Sequence, residues 1–293
     1  MNEDNCVIFA SPEEAKERLC RSVQQFQPLL KSSKLLVNSM PKCGTNLVKN
    51  VLLHFFGGDC RMETLTPESI ENTLEYWHRN EPLLKEELLI CHFPKYISTQ
   101  KFIRDHGGKT ILVLRSPRDE ILACARHFCN PHIANDEPYY GFFSQNSIPF
   151  DDIVYYCIRG LSWCGRDLES VTTRFQNYLS WIYDADFIIV FDELRAMLLN
   201  LDSVRASAYF QKLVELAGCS LPTNWRERLV AAQEKSLSWT YAQKIHKTPW
   251  KPKYEAMLRL YCGDAVDGYA SAIERLKCFP NQPETANSTH RNE

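Results

Sequence analysis

The stretch Leu35-Leu36-Val37-Asn38-Ser39-Met40-Pro41-Lys42-Cys43-Gly44-Thr45-Asn46 decides the fold. A short apolar run enters a Pro-Lys-x-Gly-Thr turn, and Leu47-Val48-Lys49-Asn50-Val51-Leu52-Leu53 continues as an apolar, helix-like segment. Strand, tight glycine turn and helix start together make a cradle for a phosphate. Backbone N–H groups converge there, and the helix dipole favours an anion. Lys42 stands two residues before the glycine, so this is not a Walker A loop, whose Gly-Lys-Ser/Thr order is expected to be absent from the chain, and it points to a different phosphate-bearing donor.

Working outward, the same alternation repeats. Residues 11–30, from Ser11-Pro12-Glu13-Glu14, read as a capped helix ahead of the first strand at Leu35–Asn38. The helix after the loop spans about 45–56 and ends at Gly57-Gly58. Residues 66–88 read as a polar helix, 88–93 as a strand ending before Pro94, and 110–115 as a third strand. A helix at about 118–128 follows Ser116-Pro117-Arg118-Asp119, and a fourth strand, 187–191, runs into Asp192-Glu193. Near-continuous apolar strands alternating with helices predict an α/β fold, a central parallel sheet with helices on both faces. Ligands bind beyond the carboxyl ends of such strands. Here those ends carry Lys42, His92, Arg115 and Asp192.

The segment from about 202 to 275 reads as mainly helical and contains the basic stretch Lys244-Ile245-His246-Lys247-Thr248-Pro249-Trp250-Lys251. No internal repeat or linker divides the chain, so residues 1–279 are expected to form one domain and 280–293, rich in Asn, Thr, Ser and Pro, a disordered tail. A net charge of −2 gives no general argument for nucleic acid or membrane, so any basic site must be local. No apolar run approaches the roughly 18 residues of a membrane span. The acidic start Met1-Asn2-Glu3-Asp4-Asn5 has neither the basic nor the apolar region of a signal peptide, and a cytoplasmic protein is expected. The 12 cysteines include no Cys-x-x-Cys pair and several sit in apolar runs, which reads as reduced thiols acting as small hydrophobes.

Two segments together carry a resemblance. Pro41-Lys42-Cys43-Gly44-Thr45-Asn46 resembles the 5′-phosphosulfate loop of the cytosolic sulfotransferases, normally Pro-Lys-Ser-Gly-Thr-Thr. Arg115-Ser116-Pro117-Arg118-Asp119 resembles their 3′-phosphate segment, normally Arg-Asn-Pro-Lys-Asp, and Phe191-Asp192-Glu193 takes the place of a Tyr-Glu-Asp-like strand end. The resemblance implies a P-loop kinase-like sulfotransferase domain using 3′-phosphoadenosine 5′-phosphosulfate (PAPS) as donor, with adenosine 3′,5′-bisphosphate (PAP) as product and no metal. Lys42 would neutralise charge on the leaving phosphate oxygen, with Cys43, Gly44, Thr45 and Asn46 around the 5′-phosphate. His92, in Ile90-Cys91-His92, would take the acceptor's proton, a contribution typically worth about 10²–10⁴ in rate. Ile90 and Cys91 replace the family's Lys-Thr.

Arg115 would clamp the 3′-phosphate through its planar fork. The family's serine partner falls on Ala123, or on Cys124 with one residue of slippage, and Arg118 reads as a surface residue. Counting back from Trp250-Lys251 puts Lys244 at the third phosphate contact, with Lys247 as its rival. Phe191 and Trp239 are the stacking candidates for adenine, since the family's tryptophan after the first loop is Leu47 here.

Between His127 and Arg159 there is no lysine or arginine, while Asp136, Glu137, Asp151 and Asp152 lie among Phe128, Tyr139, Tyr140, Phe142, Phe143, Phe150, Tyr155 and Tyr156. Aromatic faces and carboxylates suit a small, partly apolar, cationic acceptor; a surface loop whose aromatics pack on the core is the plain alternative. A homodimer is compatible with the resemblance, although the short C-terminal motif through which many members pair is not found. Two rivals stand beside the enzyme reading: a sulfotransferase-like nucleotide-binding protein that has lost catalysis, and a P-loop kinase relative.

Overall fold

The computed structural model describes residues 12–29, 34–57, 88–92, 108–129, 142–143, 146–163, 166–235 and 248–278. The expected helix at 66–88, the tail, Trp239, Lys244, Lys247, Asp136, Glu137, Tyr139 and Tyr140 lie outside them. Helix α1 (Pro12–Gln24) precedes strand β1 (Lys34–Ser39), which passes through the loop into α2 (Thr45–Phe56). Strands β2 (Leu88–Cys91) and β3 (Gly108–Leu114) follow, then α3 (Pro117–Phe128) and α4 (Phe150–Arg159).

An antiparallel pair, β4 (Leu161–Trp163) with β5 (Arg166–Leu168), leads to α5 (Val171–Leu179) and a 3₁₀ turn at Ser180–Tyr183. Strand β6 (Phe187–Val190) runs directly into α6 (Phe191–Leu199), and α7 (Val204–Glu215), α8 (Trp225–Lys235), α9 (Pro252–Cys262) and α10 (Ala265–Leu276) complete the described residues.

The main sheet has the order β2-β1-β3-β6, and every neighbouring pair is parallel. It is parallel because both faces of its strands are apolar and covered: Leu35, Leu36 and Val37 of β1 and Ile111 to Leu114 of β3 are all buried. Helices cover it in two groups. One packs α1, α2, α6, α7 and α8; the other packs α3, α4, α5, α9 and α10. The hydrophobic core runs without a break from Leu19 of α1 to Ile273 of α10.

Chain order places the site. From β1 the sheet grows to β2 on one side, and then β3 is laid on the other side of β1. The direction of winding therefore reverses between β1 and β3, and a crevice opens at their carboxyl ends. Register brings those ends level, with Ser39 opposite Val113 and Asn38 opposite Cys91.

Contrary to the expectation that no Gly-Lys-Ser/Thr occurs, the chain contains one Gly-Lys-Thr, Gly108-Lys109-Thr110. It lies within β3 rather than in a loop, and Lys109 pairs with Asp186 at 2.9 Å. No helix of the described residues is long and apolar enough to cross a membrane. No disulfide joins the cysteines among the described residues.

Candidate active site at the sheet's switch point

The loop after β1 is held by the sheet it leaves. Met40 N–H donates to Val113 O at 3.1 Å, carrying the β1–β3 ladder one residue past the strand, and Cys43 N–H closes a turn on Met40 O at 3.2 Å. Two residues then take left-handed backbone: Lys42 at φ 61° and Gly44 at φ 90°. Gly44 is the N-cap of α2, and a Cβ there would stand 2.1 Å from two ring atoms of Phe191. The first N–H groups of a helix have no partner within it, so those of α2 face the turn as donors.

The side chains of the loop divide by burial. Lys42, Gly44 and Thr45 are half-buried and Asn46 is exposed, while Cys43 is wholly buried. Burial, followed by the nearby Glu120 carboxylate, pushes the Cys43 thiol well above its usual range, so it is a protonated core group. Leu47, where the family has a tryptophan, packs against the core.

Ser39 is the node that sequence reasoning missed. It is fully buried, and its hydroxyl lies 2.8 Å from Thr45 Oγ1 and donates to Met40 O at 3.1 Å. Its carbonyl accepts a short hydrogen bond from His92 Nδ1. A carbonyl can only accept, so Nδ1 carries the proton and Nε2 holds the lone pair of the neutral ring. Burial pushes the His92 pKa below its usual 6.5; the Ser39 bond opposes this and the Lys42 ammonium adds to it. His92 is thus a neutral imidazole at pH 7, with its basic nitrogen fixed by one carbonyl. The side chains of Ile90 and Cys91 before it are buried, and Cys91 Sγ lies 3.6 Å from Val37 O.

Arg115, immediately after β3, crosses the crevice. Its Nη1 donates to Lys42 O at 3.3 Å, and its guanidinium carbon stands 4.6 Å from the centre of the Phe191 ring. Arg195 also lies over that ring, at 5.9 Å, so Phe191 is engaged by two guanidiniums and by the Gly44 backbone. Asp192 is held above the usual carboxylate range by burial and then by Asp119, with Arg115 opposing. Glu193 is buried and accepts Cys278 N–H at 3.1 Å, which fastens the end of α10 to α6. The four strand ends therefore meet around one crevice, with Lys42, His92 and Arg115 linked through the backbone of residues 39 and 42.

Helix α3 opens with a side-chain cap: Ser116 Oγ accepts Asp119 N–H at 3.4 Å and donates to the Asp119 carboxylate at 2.5 Å. Asp119 is thereby committed to the cap. Arg118, read as a surface residue, is half-buried and makes a bidentate pair with Glu255 at 2.7 and 2.9 Å. That pair holds Glu255 at a pKa of about 2, and Glu255 also accepts the Trp250 indole N–H at 2.9 Å.

The two candidate positions, 123 and 124, differ in burial. Ala123 is half-exposed, whereas Cys124 is buried and donates to Glu120 at 3.0 Å. Glu120 is paired in turn with Arg174 at 2.9 Å, both side chains being almost wholly excluded from solvent.

Between His127 and Arg159, Phe143 is 2% exposed and stacks with Tyr156 at 5.9 Å and against Phe128 at 5.7 Å, while Tyr155 meets Tyr261 and Arg159 in exposed hydrogen bonds. Asp151 is bonded by Lys251 at 2.9 Å and by Lys253 and Tyr254, so its charge is already met. Asp152 is exposed.

This arrangement of strands and helices is a sulfotransferase fold. The structure resembles mouse sulfotransferase SULT7A1, solved in complex with PAP, with a TM-score of 0.52 and 14% sequence identity over 88% of this chain and 95% of that one. No family model matches the sequence, and no curated protein matches it.

Proposed function

We propose that this chain transfers a sulfuryl group from PAPS to a hydroxyl or amine of a small acceptor. The observation that carries the reading is the meeting of Lys42, His92 and Arg115 at the switch point, on three adjacent strand ends. The residues fit the donor by chemistry: a left-handed Lys-x-Gly turn at a helix start suits a phosphate, and the Nε of Arg115 is buried with no acceptor. The neighbour's complex with PAP supports the same choice.

Bound there, the donor supplies the sulfuryl group and a phosphate leaving group. Lys42 and the first amides of α2 stabilise the negative charge that develops on that phosphate oxygen. His92 accepts the acceptor's proton at Nε2, while Nδ1 stays anchored on Ser39 O. Arg115 clamps the far phosphate, and a cytoplasmic location and a small-molecule partner belong to the same reading. A cationic acceptor draws no support from Asp151, whose charge is met by lysines.

A non-catalytic, nucleotide-binding relative is the second reading, favoured by the buried Ile90 and Cys91, which replace polar groups next to the histidine. Transfer of labelled sulfate from PAPS to a panel of phenols, alcohols and amines separates the two. His92→Ala is expected to lower kcat by about 10²–10⁴ with PAP affinity unchanged. The wild-type rate should rise with pH through a value below 6.5 and be level at neutrality, because only the deprotonated ring can act and burial lowers its pKa. Turnover by His92→Ala at the wild-type rate would remove the histidine from the mechanism.

A further inference from the structure

Among the described residues four buried side-chain nitrogen or oxygen atoms lack a hydrogen-bond partner. Two of them, on Trp181 and Tyr209, belong to side chains of the hydrophobic core. The other two are the Nε atoms of Arg115 and Arg126. A guanidinium N–H buried without an acceptor is costly, and one anion within reach of both would satisfy both.

Arg126 sits on α3 three residues after Ala123, which puts both on one side of the helix. Its Nη2 donates to Thr248 O at 2.9 Å, so the guanidinium is held against the segment that enters α9. Burial and then the positive charge of Arg115 lower its pKa, which places the two guanidiniums within each other's field. Among the described residues, the carboxylate that acts on Arg126 is that of Asp119, which is committed to the Ser116 cap. Arg118, the other arginine of the segment, is spent on Glu255.

We propose that Arg126 is a second anion-holding guanidinium beside Arg115, taking over the task of the hydroxyl missing at Ala123, and that it makes the site selective for nucleotides bearing a 3′-phosphate. The proposal rests on the donor reading above. A hydroxyl contributes one neutral hydrogen bond, whereas a guanidinium adds a full charge and a forked donor set.

Calorimetric titration with PAP and with AMP, which lacks the 3′-phosphate, tests this on wild type, Arg126→Gln and Arg126→Lys. Glutamine keeps a donor for Thr248 O but loses the charge. Wild type should prefer PAP. Arg126→Gln should bind AMP within about twofold of wild type yet lose about 10–100-fold for PAP, the scale of one charge-assisted bond. Arg126→Lys should recover part of that preference. Undiminished preference for PAP in Arg126→Gln would overturn the proposal, as would an equal loss for both nucleotides, which marks a purely structural arginine. A wild-type protein that binds neither nucleotide would instead defeat the donor reading on which the proposal stands.

Discussion

Gly44 meets two demands at once: a backbone in the left-handed region, and no Cβ where the Phe191 ring packs. Left-handed backbone in a residue with a side chain costs about 1–3 kcal/mol, and the ring must also move. Gly44→Ala should therefore lower the unfolding midpoint by several degrees and abolish PAP binding, because the displaced Phe191 disturbs Arg115 above it. Unchanged melting and binding in this variant would mean that the loop is not fixed by Phe191. Lys42 shares the left-handed backbone at φ 61°, and its carbonyl is the atom on which Arg115 rests. Proline before it and glycine after it made the turn legible in the sequence. The engagement of Phe191 was not, because that ring comes from a strand end about 150 residues along the chain.

At the scale of elements, α3 is anchored by a buried ion pair. Glu120 pairs with Arg174 of α5 in a dry interior, and Arg174 also donates to Cys157 O at 3.0 Å, so α3, α4 and α5 are fastened by one guanidinium. Removing one member of a buried pair costs about 3–5 kcal/mol, since the other is left charged and unpartnered. Glu120→Gln should show that loss in denaturant unfolding, and the double variant Glu120→Leu with Arg174→Met should recover most of it. A single variant losing under about 1 kcal/mol would deny the pair its anchoring role.

Strands β1, β2, β3 and β6 could be read from sequence to within two residues, because an apolar run buried on both faces has few other readings. The pair β4–β5 could not: three-residue strands carry no periodicity. Arg126 escaped notice for another reason. Its meaning lies in Thr248 and Arg115, which the chain brings to α3 only on folding.

Over the whole molecule, the order β2-β1-β3-β6 does what no local motif can: it opens the crevice between the loop after β1 and Arg115. The motifs legible in the sequence become a site because that reversal of winding sets them face to face. Where the sequence departs from the resemblance, the structure puts an alanine, a buried cysteine and a packed leucine at positions 123, 43 and 47. The central claim is that the remaining groups still form a site for a 3′-phosphorylated nucleotide.

Thermal unfolding of the full chain with and without PAP at about 1 mM tests that claim most directly. At 100 times its dissociation constant, a ligand stabilises the folded state by about 2.7 kcal/mol, enough for a midpoint rise of several degrees. The account predicts that rise with PAP and a markedly smaller one with AMP or ATP. No rise with PAP, or an equal rise with all three nucleotides, would contradict it.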